Sequence, residues 1–293
     1  MPEPLTIGID IGGTSVKAGV VTRGGEIVAT EAVRTAGSPE AVADQIVSIA
    51  RMLDRRDVRA VGLGIPARVD GRARTIQPGG FVDLSGVELT KRVRTTFGRP
   101  VAVENDGTMA LIAETRIGAA RGRSHVVMFT IGTGIGGAVM VGGEVLYGAS
   151  SAGQLGHLTV DVEGLRCLCG RRGCLETVSS GTALARLISE ADLPEGTRVE
   201  DLLERSGSDA PAWRVLDAWT RPLRAAIDST VAAFAPEIVV LGGGLGGAAH
   251  RTLATQPAVS PWFQCPVVAS GLGSQSGIIG AGLAAFANME RGE

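Results

Sequence analysis

Gly8-Ile9-Asp10-Ile11-Gly12-Gly13-Thr14 and Met128-Phe129-Thr130-Ile131-Gly132-Thr133-Gly134 stand 120 positions apart and read alike, each an apolar strand running into a glycine loop. A second strand follows in both copies, with Ala18 matched by Ala138. A hairpin then follows, Gly24-Gly25-Glu26 matched by Gly142-Gly143-Glu144 at an offset of 118. Because element order agrees as well as residue type, we read a duplicated β-meander rather than two hairpins alike by chance. Neither meander loop passes into a helix, so neither is a strand-to-helix P-loop.

Working outward, Ser38-Pro39-Glu40 opens a helix, with Ser38 as N-cap and Pro39 in the first turn. Val42, Ile46, Ile49 and Leu53 supply its apolar stripe. Strands are predicted at 60–65 and 100–103. A helix is predicted from Asp106 onward, with Met109, Ile112 and Ile117 near one face. The second half predicts a helix starting near Thr177 and a long helix over 210–235 that Pro222 should kink or split. A strand at 237–241, a glycine loop at 242–247, a helix around 248–255 and a final apolar helix at 276–289 follow.

Composition narrows the function classes. The chain has 293 residues, with 28 Lys and Arg against 30 Asp and Glu, so the basic excess of a general nucleic-acid binder is missing. Hydrophobic residues at 44% and charged residues at 20% describe a globular chain, not a disordered tail or coiled coil. The 43 Gly cluster between apolar runs and read as tight turns and close backbone approaches. The N-terminal residues lack a basic region, an apolar core and a cleavage site, so no secretory signal is expected. The charge-poor stretches 126–143 and 265–289 are broken by Gly, Ser, Thr and Gln and read as buried elements rather than membrane spans. The expectation is a cytoplasmic protein without membrane or nucleic-acid partners.

Two stretches satisfy G-x-G-x-x-G: Gly132/Gly134/Gly137 and Gly242/Gly244/Gly247. The first is followed by a strand. The second lies between strand and helix, but no acidic residue stands about 20 positions on to hold a ribose, as a dinucleotide fold needs. What remains is a pair of loops whose backbone N–H groups and hydroxyls face phosphates: Gly12, Gly13 and Thr14 in one, Thr133 and Gly134 in the other. Asp10, just before the first loop, is suited to orient Mg²⁺ through water. Singly each loop reads as a hairpin; as a symmetric pair with an acid on one, they favour phosphate binding.

His157, Cys167, Cys169 and Cys174 form H-x₉-C-x-C-x₄-C. Four such ligands with no fifth nearby describe a closed, structural Zn²⁺ site, against the alternative of reduced, unliganded thiols. Cys265 stands apart and reads as a small core residue. Glu104-Asn105-Asp106 ends an apolar strand and starts a helix. There Asn105 and Asp106 read either as an N-cap or as a general base with its positioning partner.

Together Asp10-Ile-Gly-Gly-Thr14, Val103-Glu-Asn-Asp106, Ile131-Gly-Thr-Gly-Ile-Gly-Gly137, Gly153-Gln-Leu-Gly-His157, Cys167-Leu-Cys-Gly-Arg-Arg-Gly-Cys-Leu-Glu176 and Val240-Leu-Gly-Gly-Gly244 resemble the ROK family (repressors, open reading frames, sugar kinases) over nearly the whole chain. The His and Cys cluster is the most specific of these. The resemblance implies an α/β, two-lobed, actin-like (ribonuclease H-like) ATPase fold with duplicated β-meander and helix lobes. It divides the chain into an N-terminal lobe, 1–118 completed by 276–293, and a C-terminal lobe, 119–275, with a zinc loop. ATP and sugar would lie in the cleft between them. Asp106 would be the catalytic base toward a sugar hydroxyl, usually the 6-hydroxyl. Asn105, Gln154, His157 and Glu176 would contact the sugar. Asp10, Gly12, Gly13, Thr14, Thr133 and Gly134 would serve ATP phosphates and Mg²⁺, and Gly243 and Gly244 would lie near adenosine. His157 would bind Zn²⁺ through one ring nitrogen and a sugar hydroxyl through the other. A homodimer is implied on the same ground.

Three departures from the family pattern stand out, of which the first and third bear on the acceptor and the second is minor. Gln154 stands where these kinases carry Glu, Gly107-Thr108 stands for Ala-Asn, and Gln77-Pro78-Gly79-Gly80-Phe81 stands for a Pro-Asn-Leu sugar loop. The leading acceptors are glucose and N-acetylmannosamine, and whether polyphosphate replaces ATP stays open. A repressor would need a DNA-reading domain ahead of Asp10, where nine residues stand. A filament or chaperone ATPase would have no use for the zinc cluster or the Asn105-Asp106 pair. The alternative carried forward is a catalytically weak or inactive sugar sensor.

Overall fold

A computed structural model of the protein describes residues 3–70, 74–80, 82–149, 151–258 and 260–291. Phe81 of the candidate sugar loop and residues 292–293 of the first lobe's expected C-terminal part lie outside them. The chain forms two compact units, one of residues 1–122, 145–153 and 274–293, the other of 123–144 and 154–273.

The first unit opens with β1 (Leu5–Ile11), β2 (Ser15–Val21), β3 (Ile27–Arg34), α1 (Pro39–Leu53) and β4 (Val58–Ile65). A two-residue hairpin, β5 (Val69–Asp70) and β6 (Thr75–Ile76), follows, then α2 (Leu89–Phe97), β7 (Val101–Asn105) and α3 (Asp106–Arg116). The second half of the chain adds β8 (Val126–Ile131), β9 (Ile135–Val141), β10 (Glu144–Val145), α4 (Glu176–Ser179), α5 (Gly181–Glu190), α6 (Val199–Arg205), α7 (Ala210–Phe234), β11 (Ile238–Gly242), α8 (Gly246–Leu253), β12 (Val267–Ala269) and α9 (Ser276–Arg291).

The two main sheets have strand orders β3-β2-β1-β4-β7 and β10-β9-β8-β11-β12. Taken in chain order these are the same topology. In each, the first strand runs antiparallel to the second and parallel to the fourth. The pairing is offset by one residue between the copies: Ile9 lies opposite Ala18, whereas Phe129 lies opposite Gly137 and Ala138 opposite Met128, because the second glycine loop is one residue shorter. The repeat read from sequence is therefore a repeat of sheet topology. The parallel strands are apolar on both faces, as strands covered by helices must be.

In the first unit the glycines admit α9. Gly8 of β1 and Gly62 of β4 face Ile278 and Ala281, and a Cβ on either would stand 2.0 or 1.9 Å from a carbonyl oxygen of α9. Thr6 Oγ1 donates to Gly282 O at 2.9 Å, and Asn288 Nδ2 to Val101 O at 3.4 Å. The final helix is thereby seated on the first unit's sheet. On the opposite face, α1 buries the predicted stripe of Val42, Ile46, Ile49 and Leu53. Ser38 caps α1 by accepting from Ala41 N, with Pro39 next in line.

Two expectations change. Pro222 does not split its helix in two: α7 is continuous over 25 residues. Loss of one N–H and the ring clash cost about 3 kcal/mol. Leu216, Trp219, Leu223, Ala226 and Ile227 are all buried along the same helix, and that burial holds it through the proline. The loop after β11 is also shorter than 242–247, because Gly246 and Gly247 already belong to α8. Cys265 is half-buried against the second unit's core. No helix among the described residues is long and apolar enough to cross a membrane.

Candidate active site

In the first unit the C-terminal ends of β1 and β7 bring Asp10 and Asp106 together. The loop Gly12-Gly13-Thr14 joins β1 to β2, with Gly12 N donating to Ser15 O at 3.0 Å. Thr35 Oγ1 donates to Gly12 O at 2.7 Å, and Thr35 N to Thr14 O at 3.1 Å. These bonds brace the loop from behind while Gly13 and Thr14 stay exposed at its tip. Asp10 lies under the first turn of α9, where a Cβ on Gly277 would be 2.5 Å from its carboxyl carbon. Burial raises the Asp10 pKa against the opposing pull of Lys17, its antiparallel partner.

Asn105 is the N-cap of α3. Its Oδ1 accepts from Gly107 N at 3.0 Å and Thr108 N at 3.4 Å. Its Nδ2 donates to Ala67 O at 3.1 Å and Ile65 O at 3.4 Å. The amide is thus engaged at both ends: the N-cap is one of the two roles read from the sequence, and the bonds to Ala67 O and Ile65 O are an addition of the fold. Asp106, the first residue of α3, accepts from Gly107 N at 2.8 Å. Part of its surface stays accessible, yet the carboxylate sits deep enough that burial, reinforced by the negative charge of Asp10, pushes its pKa up to about 7.

In the second unit the glycine hairpin is tied to the N-terminus of α5. Gly181 N donates to Gly132 O at 2.8 Å, and Thr182 Oγ1 to Thr133 O at 2.9 Å. Ser180 caps α5, and its own carbonyl accepts from Trp219 Nε1 at 3.1 Å, so the buried core of α7 sets the loop. On the other side Leu245 N donates to Ile131 O at 3.0 Å. Gly243, at φ +77°, passes so close to Ile131 that a Cβ would meet its oxygen at 2.4 Å. Thr133, Gly134, Gly243 and Gly244 therefore come from adjoining loops. Beside them lies a cavity of about 760 Å³ whose lining includes Gly181, Leu184, Ile188, Leu193, Thr197 and Leu245. Sequence reasoning missed these lining residues, which are spread over α5, the stretch that follows it and Leu245 just before α8.

Ile135, directly after the hairpin, gathers the remaining candidates. Its N–H donates to Glu176 Oε2 at 2.9 Å. Its carbonyl packs against Gly156, where a Cβ would stand at 2.0 Å. Gly156 belongs to the 3₁₀ turn of Leu155–His157, which Gln154 precedes. Gln154, His157 and Glu176 are all half-buried.

The four soft ligands also meet. His157 Nδ1 lies 3.6 Å from Cys167 Sγ, and Cys169 Sγ 3.5 Å from Cys174 Sγ. The one ligand atom from each of the four residues lies within 4.8 Å of the others. Zn–S bonds of about 2.3 Å and Zn–N bonds of about 2.0 Å in a tetrahedron set neighbouring ligand atoms roughly 3.5–3.8 Å apart. The cluster fits that metal. Gly173, at φ +66°, lets the loop fold back: a Cβ there would be 1.4 Å from Asp161 O.

The ROK family profile matches residues 6–288. The glucokinase of Thermotoga maritima is 32% identical, over 96% of this chain and 97% of its own length. The N-acetylmannosamine kinase of Yersinia pseudotuberculosis is 29% identical, over 97% of this chain and 99% of its own. A ROK family glucokinase from Streptomyces griseus, solved in complex with glucose and AMPPNP, superimposes with a TM-score of 0.84 at 31% identity, covering 97% of this chain and 99% of that one. The duplicated α/β architecture is the one expected from the resemblance, and the chain belongs to the ROK family.

Proposed function

We propose that the protein is an ATP-dependent sugar kinase. It transfers the γ-phosphoryl group of ATP to a hydroxyl, the 6-hydroxyl, of a hexose or N-acylhexosamine. The similarity to kinases of both acceptor types makes glucose and N-acetylmannosamine the first acceptors to test. The observation that carries the reading is Asp106, a part-exposed residue at a helix N-terminus whose carboxylate, buried beside Asp10, has its pKa raised to about 7. A general base works best when its pKa lies near the working pH.

In this reading Asp106 accepts the proton of the sugar hydroxyl as its oxygen attacks the γ-phosphorus and ADP leaves. Gln154, His157 and Glu176 contact the other hydroxyls, and Asn105 keeps the base in place. Gln154 offers NH₂ donors where a Glu would only accept, so it would alter recognition of the sugar rather than the transfer itself. Gly12, Gly13, Thr14, Thr133 and Gly134 serve the phosphates. Gly243, Gly244 and the cavity beside them, lined by apolar and polar side chains alike, take the adenosine. Asp10 is the carboxylate for Mg²⁺, which would offset charge on the phosphates. Zn²⁺ on His157, Cys167, Cys169 and Cys174 is structural. We assign the two compact units to the two lobes of the enzyme, and take it to be cytoplasmic and homodimeric.

The test is ADP release with Mg-ATP across a panel of hexoses and N-acylhexosamines. Release that depends on one sugar class supports the kinase. Sugar binding without release on any of them replaces it with the sensor reading that Gln154 motivates.

Two outcomes follow. Asp106 is active when ionised, and its raised pKa delays ionisation until about 7. The sugar kcat/KM should therefore fall as pH drops through about 7 and level off above it; a flat profile from pH 5 to 8 would exclude Asp106 as the base. Zinc ties His157 to the cysteine loop, so a chelator should lower Tm and raise the sugar KM together. Metal analysis should give about one zinc per chain. Apo protein with wild-type Tm and wild-type KM would refute that coupling.

A further inference from the structure

Glu104 is used by none of the steps above, yet it is 3% exposed and sits two residues before Asp106. Its register places it in a cross-sheet row with Gly64, Asp10 and Lys17. A carboxylate buried on a strand is costly unless it is partnered. Tyr147, the only tyrosine of the chain, donates its hydroxyl to Glu104 Oε1 at 3.2 Å. Arg74 Nη1 approaches the same oxygen at 3.4 Å. Burial still raises the Glu104 pKa to about 7 against the pull of Arg74 and Tyr147.

These partners come from different loops of the first unit. Arg74 leads into β6 from the turn of the β5–β6 hairpin, in a left-handed backbone conformation (φ +55°). Tyr147 stands in 145–153, the segment that returns to the first unit between two stretches of the second and runs on to Gln154. Asn105, the next residue, holds the base of the hairpin loop through Ala67 O. Beyond the hairpin, Gly80 packs on Pro66, where a Cβ would be 2.2 Å from its oxygen. Asn105 thus holds the base of the β5–β6 hairpin and Glu104 its turn, while Glu104 also holds the segment of Tyr147.

We propose that Glu104, through Arg74 and Tyr147, is a positioning residue for sugar phosphorylation: one buried carboxylate holds two loops against the strand that leads into Asp106. The role rests on the kinase reading above. Tyr147→Phe deletes one link without disturbing the strand, and Glu104→Gln removes the charge that Arg74 meets while keeping an acceptor for Tyr147. Each variant is expected to raise the sugar KM about tenfold, the scale of a hydrogen bond to a charged group, with kcat and the ATP KM within about twofold.

Hydrogen–deuterium exchange of the full-length, ligand-free protein supplies an arm independent of activity. Uptake should rise in 145–149 for Tyr147→Phe, in 74–80 for Glu104→Gln, and nowhere else. Local uptake with unchanged sugar KM would overturn the proposal, because the loops would then have no bearing on the acceptor. Unchanged uptake would overturn it because Glu104 would hold neither loop. A general rise in uptake, with kcat and both KM values moving together, would also overturn it and leave a structural role. A wild type that releases no ADP with any sugar would overturn the kinase reading and the transfer role of Glu104 with it. That result is distinct from a kinase whose variants behave normally.

Discussion

Asp106→Asn should reduce sugar-dependent ADP release about 1000-fold, the middle of the range for loss of a general base. The asparagine is isosteric and keeps an oxygen for Gly107 N, now 2.8 Å from Asp106 Oδ1. Removing the charge also relieves repulsion from Asp10, a cause of the raised pKa. Thermal stability should therefore equal or exceed that of wild type, and the ATP KM should be unchanged. Steady-state kinetics and a melting curve on the same preparation test this directly. Turnover within tenfold of wild type would remove Asp106 from the reaction. A collapse of Tm with the lost activity would instead make it a helix cap.

The second large effect is on stability. A Cβ on Gly280 of α9 would stand 1.7 Å from Met109 O, backbone of α3 three residues after Asp106. A backbone carbonyl cannot rotate away as a side chain can, so the two helices must separate. Overpacking in a well-filled core typically costs 1–3 kcal/mol, and contact with rigid backbone puts Gly280→Ala at about 3 kcal/mol or more. Gly37→Ala is the control, since nothing lies within 4 Å of a Cβ there. Its effect should stay within about 1 kcal/mol. Urea unfolding of both variants measures the difference. Equal midpoints would mean that α9 seats more loosely on α3 than the backbone geometry indicates.

Much of the site was legible along the chain because its signals are local. Each glycine hairpin is announced by apolar strands on both sides of a turn. Ser38-Pro39 marks a helix start within three residues, and His157 with the three cysteines is a ligand pattern on a single loop. These readings depend on turn chemistry, periodicity and ligand type, all properties of neighbours in sequence. Pro222 shows where such reasoning stops. Taken alone it predicts a break, but Trp219 and Leu223 bury on either side of it, and nothing near position 222 announces how strongly that face is held.

Glu104 makes the same point at the site. As an acid ending an apolar run it was a visible anomaly, but Arg74 and Tyr147 lie 30 and 43 positions away and were not singled out. Glu176 was expected at the sugar, whereas its bond to Ile135 N, which braces the hairpin start, emerged only on folding. The duplicated meander, the two glycine loops, the His and Cys cluster and the Asn105-Asp106 pair were set by residue type and spacing alone. The raised pKa of Asp106, the double engagement of Asn105, the cavity beside Gly243 and the close seat of α9 were decided by tertiary structure. Each depends on which distant groups exclude water or approach within a few ångströms, and that proximity exists only once the sheets and helices have packed.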